Sequence, residues 1–221
     1  MPVVVSIMAK APRAGEVKTR LCPPLSNSEA AELYRCFLLD KIEQVRTLNK
    51  ASPAIAYTPD DGRTFFEACA PGFLLVPQRG ADLGFRLANT FDQLLAKGYA
   101  GAFAIDSDTP TLPTHFLEQA LDLIAIPEID LVLGPSDDGG YYLIGLRKLY
   151  RELFERMPWS TADVVPETIR RAEAMGLKVA SVPLWFDVDT GNDLERLKTS
   201  LDSGQADAAR HTRQFFKERA G

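Results

Sequence analysis

Short apolar runs rich in β-branched residues alternate along this chain with longer stretches of helical period. That alternation limits the folds open to it. Residues 3–8 (VVVSIM) read as a buried strand, as do 54–57, 73–76, 102–105, 131–133, 141–146 and 179–182. Most are continuous apolar runs, the pattern of strands covered on both faces. Helices read between them. Ser26 stands three residues before Glu29, a capping-box start for a helix to about residue 48. Further helices read at 82–97, 113–124, 162–175 and 194–201, the last with Thr190 and Asp193 as its cap, and the tail 206–219 reads as helical. Repeated β-α-β order predicts an α/β domain: a mostly parallel central sheet with helices on both faces. No repeat, linker or low-complexity tract divides residues 1–221, so one domain is expected.

The 221 residues carry a formal net charge of −5. An acidic chain is repelled by nucleic-acid backbones and anionic membranes, so neither is an expected partner. No apolar stretch reaches the length of a membrane span, and the first residues lack the basic leader of a signal peptide. The expected location is the cytoplasm. Cys22, Cys36 and Cys69 are widely spaced without a CxxC pair, and His115 and His211 are far apart, so neither a disulfide framework nor a zinc site is indicated.

Open α/β sheets bind ligands at the carboxyl ends of their strands, so the loops there carry the functional reading. After the first strand comes KAPRAGEVKTRL. It packs Lys10, Arg13, Lys18 and Arg20 around the turn residue Gly15. Such a loop offers backbone N–H groups and charge-assisted bonds to phosphate. It is neither a Walker A loop nor a dinucleotide fingerprint. After the strand at 102–105 come Asp106 and Asp108, one residue apart, a pair suited to sharing a hard divalent ion with a diphosphate. Asp187 and Asp189 repeat that spacing before a helix and are candidates to complete the metal site.

In GPSDDGGYY, Asp137, Asp138, Gly139, Gly140 and Tyr141 read either as a hairpin turn or as an acceptor site, with Asp138 as a general base. Trp159 could stack on an acceptor ring or fill the core. Arg79, with Gly80 and Gly84, could approach the base or sugar.

Taken together, K…G..KTRL, D-S-D-T-P, S-D-D-G-G-Y-Y-L-I-G-L and F-D-V-D-T…D-L resemble the radical-SAM/selenodomain-associated transferases, from residue 3 to about 201. That family is regarded as glycosyltransferase-like, within the GT-A (nucleotide-diphospho-sugar transferase) superfamily. The resemblance implies a single-domain, Rossmann-like GT-A fold and a nucleotide-binding transferase using Mg²⁺ or Mn²⁺. The same landmarks are similar to guanylyltransferases acting on 2-phospholactate and on molybdenum cofactor. That similarity implies phosphate contacts from Lys10, Lys18 and Arg20, a catalytic Lys18, and metal ligands Asp106 or Asp108, with Asp187 and Asp189.

Three functions are compatible with these residues. The first is glycosyl transfer from a nucleotide-diphospho-sugar to a small-molecule acceptor. The second is nucleotidyl transfer from a triphosphate to a phosphorylated small molecule. The third is a non-catalytic nucleotide-binding regulatory domain. Base, sugar, acceptor and oligomeric state are not encoded in any motif found.

Overall fold

The computed structural model describes residues 2–202 and 209–220. All seven expected strands form and join one sheet, in the order β3-β2-β1-β4-β6-β5-β7. They are β1 (Val3–Lys10), β2 (Ala51–Thr58), β3 (Leu74–Pro77), β4 (Gly101–Ile105), β5 (Leu131–Pro135), β6 (Tyr141–Leu146) and β7 (Val179–Ser181). Every pairing is parallel except those of β6, which runs antiparallel to both β4 and β5.

Among the described residues seven α-helices flank the sheet: α1 (Asn27–Arg46), α2 (Arg63–Cys69), α3 (Leu83–Leu95), α4 (Thr114–Ile124), α5 (Val164–Ala174), α6 (Gly191–Asp202) and α7 (Arg210–Ala220). Six answer to expected helices. The short α2 does not, because seven residues span too few turns to show a period. For the tail helix expected at 206–219, residues 206–208 lie outside the described residues.

Side chains alternate across the strands and feed two cores. From β1, Val5, Ile7 and Ala9 enter the core under α1, α4, α6 and α7. Val4 and Met8 enter the core under α3 and α5. The helices carry matching stripes: Leu87, Phe91 and Leu94 on α3, and Leu33, Phe37 and Val45 on α1. The capping box of α1 forms as expected, Ser26 accepting from Glu29 N and Glu29 accepting from Ser26 N.

β1 lies between β2 and β4, and the chain turns outward to opposite sides from it. A parallel sheet opens a crevice at such a reversal, beyond the strands' carboxyl ends. The loop after β1 and the Asp106 segment after β4 meet there.

Candidate functional site

Ser107 stitches the ends of β1 and β4 together. Its hydroxyl donates to Met8 O at 3.1 Å and lies 2.9 Å from the Tyr34 hydroxyl, which in turn accepts from Lys10 N at 3.1 Å. This buried chain places Asp106 and Asp108 beside the loop after β1. A backbone bond, Val188 N to Asp108 O at 3.0 Å, brings in the late Asp187-Val188-Asp189 segment. That segment is held in turn by Asp193. Its carboxylate accepts from Asp189 N, Thr190 N and Thr190 Oγ1 at the start of α6.

Lys18 is the centre of charge. Its backbone is left-handed, φ +49°, a conformation uncommon outside glycine that recurs at functional sites. From it the side chain reaches inward with 5% of its surface exposed. Its ammonium sits 3.0 Å from Asp108 and 2.7 Å from Asp189. Burial alone would lower the Lys18 pKa, but the two carboxylates outweigh it and the pKa is raised. Arg20 reaches the other Asp189 oxygen at 3.5 Å. Lys10, Lys18 and Arg20, with Tyr34, Asp108 and Asp189, line a recess of about 250 Å³. It adjoins a larger lobe of about 330 Å³ lined by Gln78, Arg86, Asp106 and Tyr141.

Two carboxyls here lack a nearby basic side chain bonded to them. Burial pushes Asp106 up to about 7, Lys41 offsetting part of this and Asp108 adding to it. Burial, then the charges of Asp138 and Asp189, push Asp187 up to about 6. A hard divalent cation takes all-oxygen donors of this type, and its binding would have to displace those protons. Among the described residues no three of these four aspartates bring ligand oxygens within 4.8 Å of one another. They stand as an open group of carboxylates and not as a closed cage.

Other residues singled out from the sequence stand apart. Arg13 leaves the recess to pair with Asp61 at 2.8 Å, and Arg79 chelates Asp60 at 2.6 Å. Residues 136–140 turn the antiparallel β5–β6 hairpin, with Ser136 N donating to Gly140 O at 2.8 Å. Asp137 pairs with Arg196, whose guanidinium lies over Phe186. Asp138 stays exposed, one oxygen accepting from Gly140 N at 2.8 Å. Gly139, at φ +92°, is demanded by its backbone conformation and by close packing within the chain. A Cβ there would lie 2.3 Å from the Ala162 backbone. Trp159 packs edge-on to Tyr141, its indole beside Gly84, so its ring is engaged by its own chain.

Sequence reading missed Tyr34, Lys41, Thr109, Gln78 and Arg86. Lys41 did leave a signal, because it falls on the apolar stripe of α1 between Phe37 and Val45. Among the described residues, the group whose possible ligand atoms do lie within 4.8 Å of one another is Asp40, Glu43 and His211, and it caps a helix. Asp40 accepts from His211 N, Thr212 N and Thr212 Oγ1 at the start of α7, while Glu43 pairs with Arg210.

The sheet order, the antiparallel β6 and the acidic crevice together define the α/β fold shared by nucleotide-sugar transferases and nucleotidyltransferases. Residues 41–161 match the family described as "Uncharacterized protein conserved in bacteria (DUF2064)", and the chain belongs to it. A solved structure from Desulfovibrio desulfuricans G20, provisionally named a nucleotide-diphospho-sugar transferase, is 30% identical. That match covers 97% of this chain and 95% of the other, with a TM-score of 0.84.

A cytidylyltransferase from Leptospira borgpetersenii serovar Hardjo-bovis is 17% identical over 100% of this chain and 95% of its own, at TM-score 0.63. Glucosyl-3-phosphoglycerate synthase from Mycobacterium tuberculosis, solved with Mn²⁺, UDP and glucosyl-3-phosphoglycerate, is 16% identical over 90% of this chain and 75% of its own, at 0.51. These two share the fold alone. No curated protein matches the sequence. None of these matches bears on a radical-SAM association. No helix among the described residues is long and apolar enough to cross a membrane.

Proposed function

We propose that this chain is a metal-dependent transferase. It takes a nucleotide-diphospho-sugar as donor and passes the sugar to a small-molecule acceptor. The observation that carries this reading is the Lys18 ammonium clamped between Asp108 and Asp189 at the switch point of the sheet. A buried cation flanked by carboxylates, next to further cations, can exchange its partners for phosphate oxygens without losing compensation.

Asp106 and Asp108, with Asp187 and Asp189 at the open edge, would hold Mg²⁺ or Mn²⁺. When bound, such an ion neutralises charge on the departing diphosphate as a Lewis acid. Lys18, Lys10 and Arg20 grip the same phosphates and orient the donor. Arg13 and Arg79, paired elsewhere, have no part in that grip. Asp138 is exposed, with one oxygen free of the hairpin turn, and its charge reaches Asp187. It takes the proton of an acceptor hydroxyl as general base. Tyr141 borders the lobe in which the acceptor or the nucleoside would sit.

Nucleotidyl transfer is the second reading. What favours it is the recess that places Lys10, Lys18 and Arg20 together, a density of cations suited to a triphosphate whose pyrophosphate leaves.

A thermal-shift panel with and without Mn²⁺ separates the readings. The ligands are nucleoside triphosphates, nucleoside diphosphates and nucleotide-sugars. A ligand that binds only the folded chain raises its midpoint with the logarithm of saturation. A Mn²⁺-dependent shift with one diphosphate and its sugar supports glycosyl transfer and names the donor. A shift confined to a triphosphate supports nucleotidyl transfer. No shift with any ligand overturns both.

A further inference from the structure

Lys41 is 1% exposed and lies beneath the crevice, on the face of α1 that carries Phe37 and Val45 into the core. Burying an ammonium is strongly unfavourable unless its environment compensates it, and packing alone would be served by leucine or methionine. Burial pushes the Lys41 pKa down to about 8, while Asp106, Asp108 and Asp40 pull it back up. Asp40, its chain neighbour, is taken up by three bonds from His211 and Thr212. The bonds that Lys41 itself makes run the other way, toward the segment after β4. Its Nζ donates to Thr109 O at 3.0 Å and to Thr109 Oγ1 at 2.7 Å.

The direction of the next bond follows from valence. An ammonium has donors and no acceptor, and a threonine hydroxyl has one proton. Thr109 Oγ1 must therefore accept from Lys41, which leaves its proton for Asp106 Oδ1, 2.7 Å away. One oxygen of Asp106 is thereby committed to the protein. Asp106 also borders the crevice, so its second oxygen is the one left to face a ligand. One turn along α1, Gln44 Nε2 donates to Leu112 O at 2.6 Å and grips the far end of the same segment. Helix α1 thus braces the whole Asp106–Thr114 turn from behind with two buried polar side chains.

We infer that Lys41 and Thr109 form a buried relay whose work is to position Asp106 for a divalent cation, Lys41 being a positioning residue that touches neither donor nor acceptor. This rests on the reading of Asp106 as a metal ligand. Partners one shell removed from a metal typically hold ten- to a hundred-fold of its affinity by fixing the orientation of the ligand.

The test is Mn²⁺ binding to the full chain, followed by loss of the free-ion electron paramagnetic resonance signal. Melting temperature is recorded alongside. Thr109→Val keeps the shape and removes the relay; Thr109→Ser keeps the hydroxyl and removes a methyl. The expected result is Mn²⁺ affinity at least about 10-fold weaker in Thr109→Val and within about 3-fold of the unaltered chain in Thr109→Ser. Lys41→Met should weaken binding in the same direction where it folds, and Thr109→Val carries the test where it does not. Unchanged affinity in Thr109→Val, or equal weakening in both Thr109 variants, overturns the relay alone. Failure of the unaltered chain to bind Mn²⁺ overturns the metal reading and the relay with it.

Discussion

Asp106-Ser107-Asp108 and Asp187-Val188-Asp189 space their carboxylates alike, and in both the first is desolvated while the second pairs with Lys18. Their supports differ. Asp106 follows a fully buried central strand and is bonded from behind through Thr109 to a buried cation. Asp187 follows an irregular stretch joined to the sheet by the isolated bridge between Ser136 and Trp185. Its segment is set by one backbone bond to Asp108 and by the cap of α6. Two equal spellings thus become a rigid half and a hung half. Spacing alone says which residue types are present; the element beneath them decides how sharply they are placed.

The comparison breaks most decisively on alanine scans of the four carboxylates. Asp108→Ala should abolish Mn²⁺-dependent nucleotide binding, a loss of more than about 100-fold, with the fold intact by circular dichroism. Asp187→Ala should cost about 10-fold. Calorimetric titration reads both, and equal losses would erase the distinction between the halves.

Lys18→Met comes next, because it removes the cation the halves share. Leaving Asp108 unpaired and Asp189 with Arg20 alone should destabilise the metal-free chain by roughly 1–3 kcal/mol, discounted for solvent screening. Mn²⁺ should then raise the melting temperature more in this variant than in the unaltered chain. An identical Mn²⁺ response in the two would mean that Lys18 does not occupy a cation's place.

Acidity sharpens the contrast further. Asp106 and Asp187 hold their protons more tightly folded, at about 7 and about 6, than unfolded. The stability this confers is complete below the ordinary carboxyl range and is lost as pH rises through the folded values. In EDTA, the melting temperature should fall between about pH 5 and about pH 7, and Asp106→Asn should flatten that slope. A melting temperature that climbs across this window in the unaltered chain would contradict the desolvation of both groups.

The smallest effect belongs to the hung half alone. Asp193→Ala removes the acceptor for Asp189 N and Thr190 N and should cost about 1 kcal/mol in chemical denaturation. It should weaken Mn²⁺ binding less than Thr109→Val does.

Much of this molecule could be read along the chain, because strand and helix identity rests on local periodicity. The seven apolar runs became seven strands, and Ser26 and Glu29 formed their capping box. The basic composition of the loop after β1 and both Asp-x-Asp segments were visible because they are contiguous. Which cations face the recess was not legible in the loop's composition, and only the resemblance to guanylyltransferases singled out Lys10, Lys18 and Arg20. Arg13 and Arg79 are spelled like Lys18 and Arg20, yet Asp61 and Asp60 take them elsewhere. Such choices depend on partners distant in sequence, and only closure of the sheet brings those together. The meaning of Gly139 was equally hidden, since its requirement comes from Ala162 across the hairpin. So the sequence alone determined the α/β order and the chemistry available at the strand ends. Tertiary structure decided that Lys18 joins the two acidic segments, that Lys41 stands behind one of them, and that β6 reverses. Periodicity is a property of neighbours along a chain, whereas ion pairing and desolvation are properties of neighbours in space.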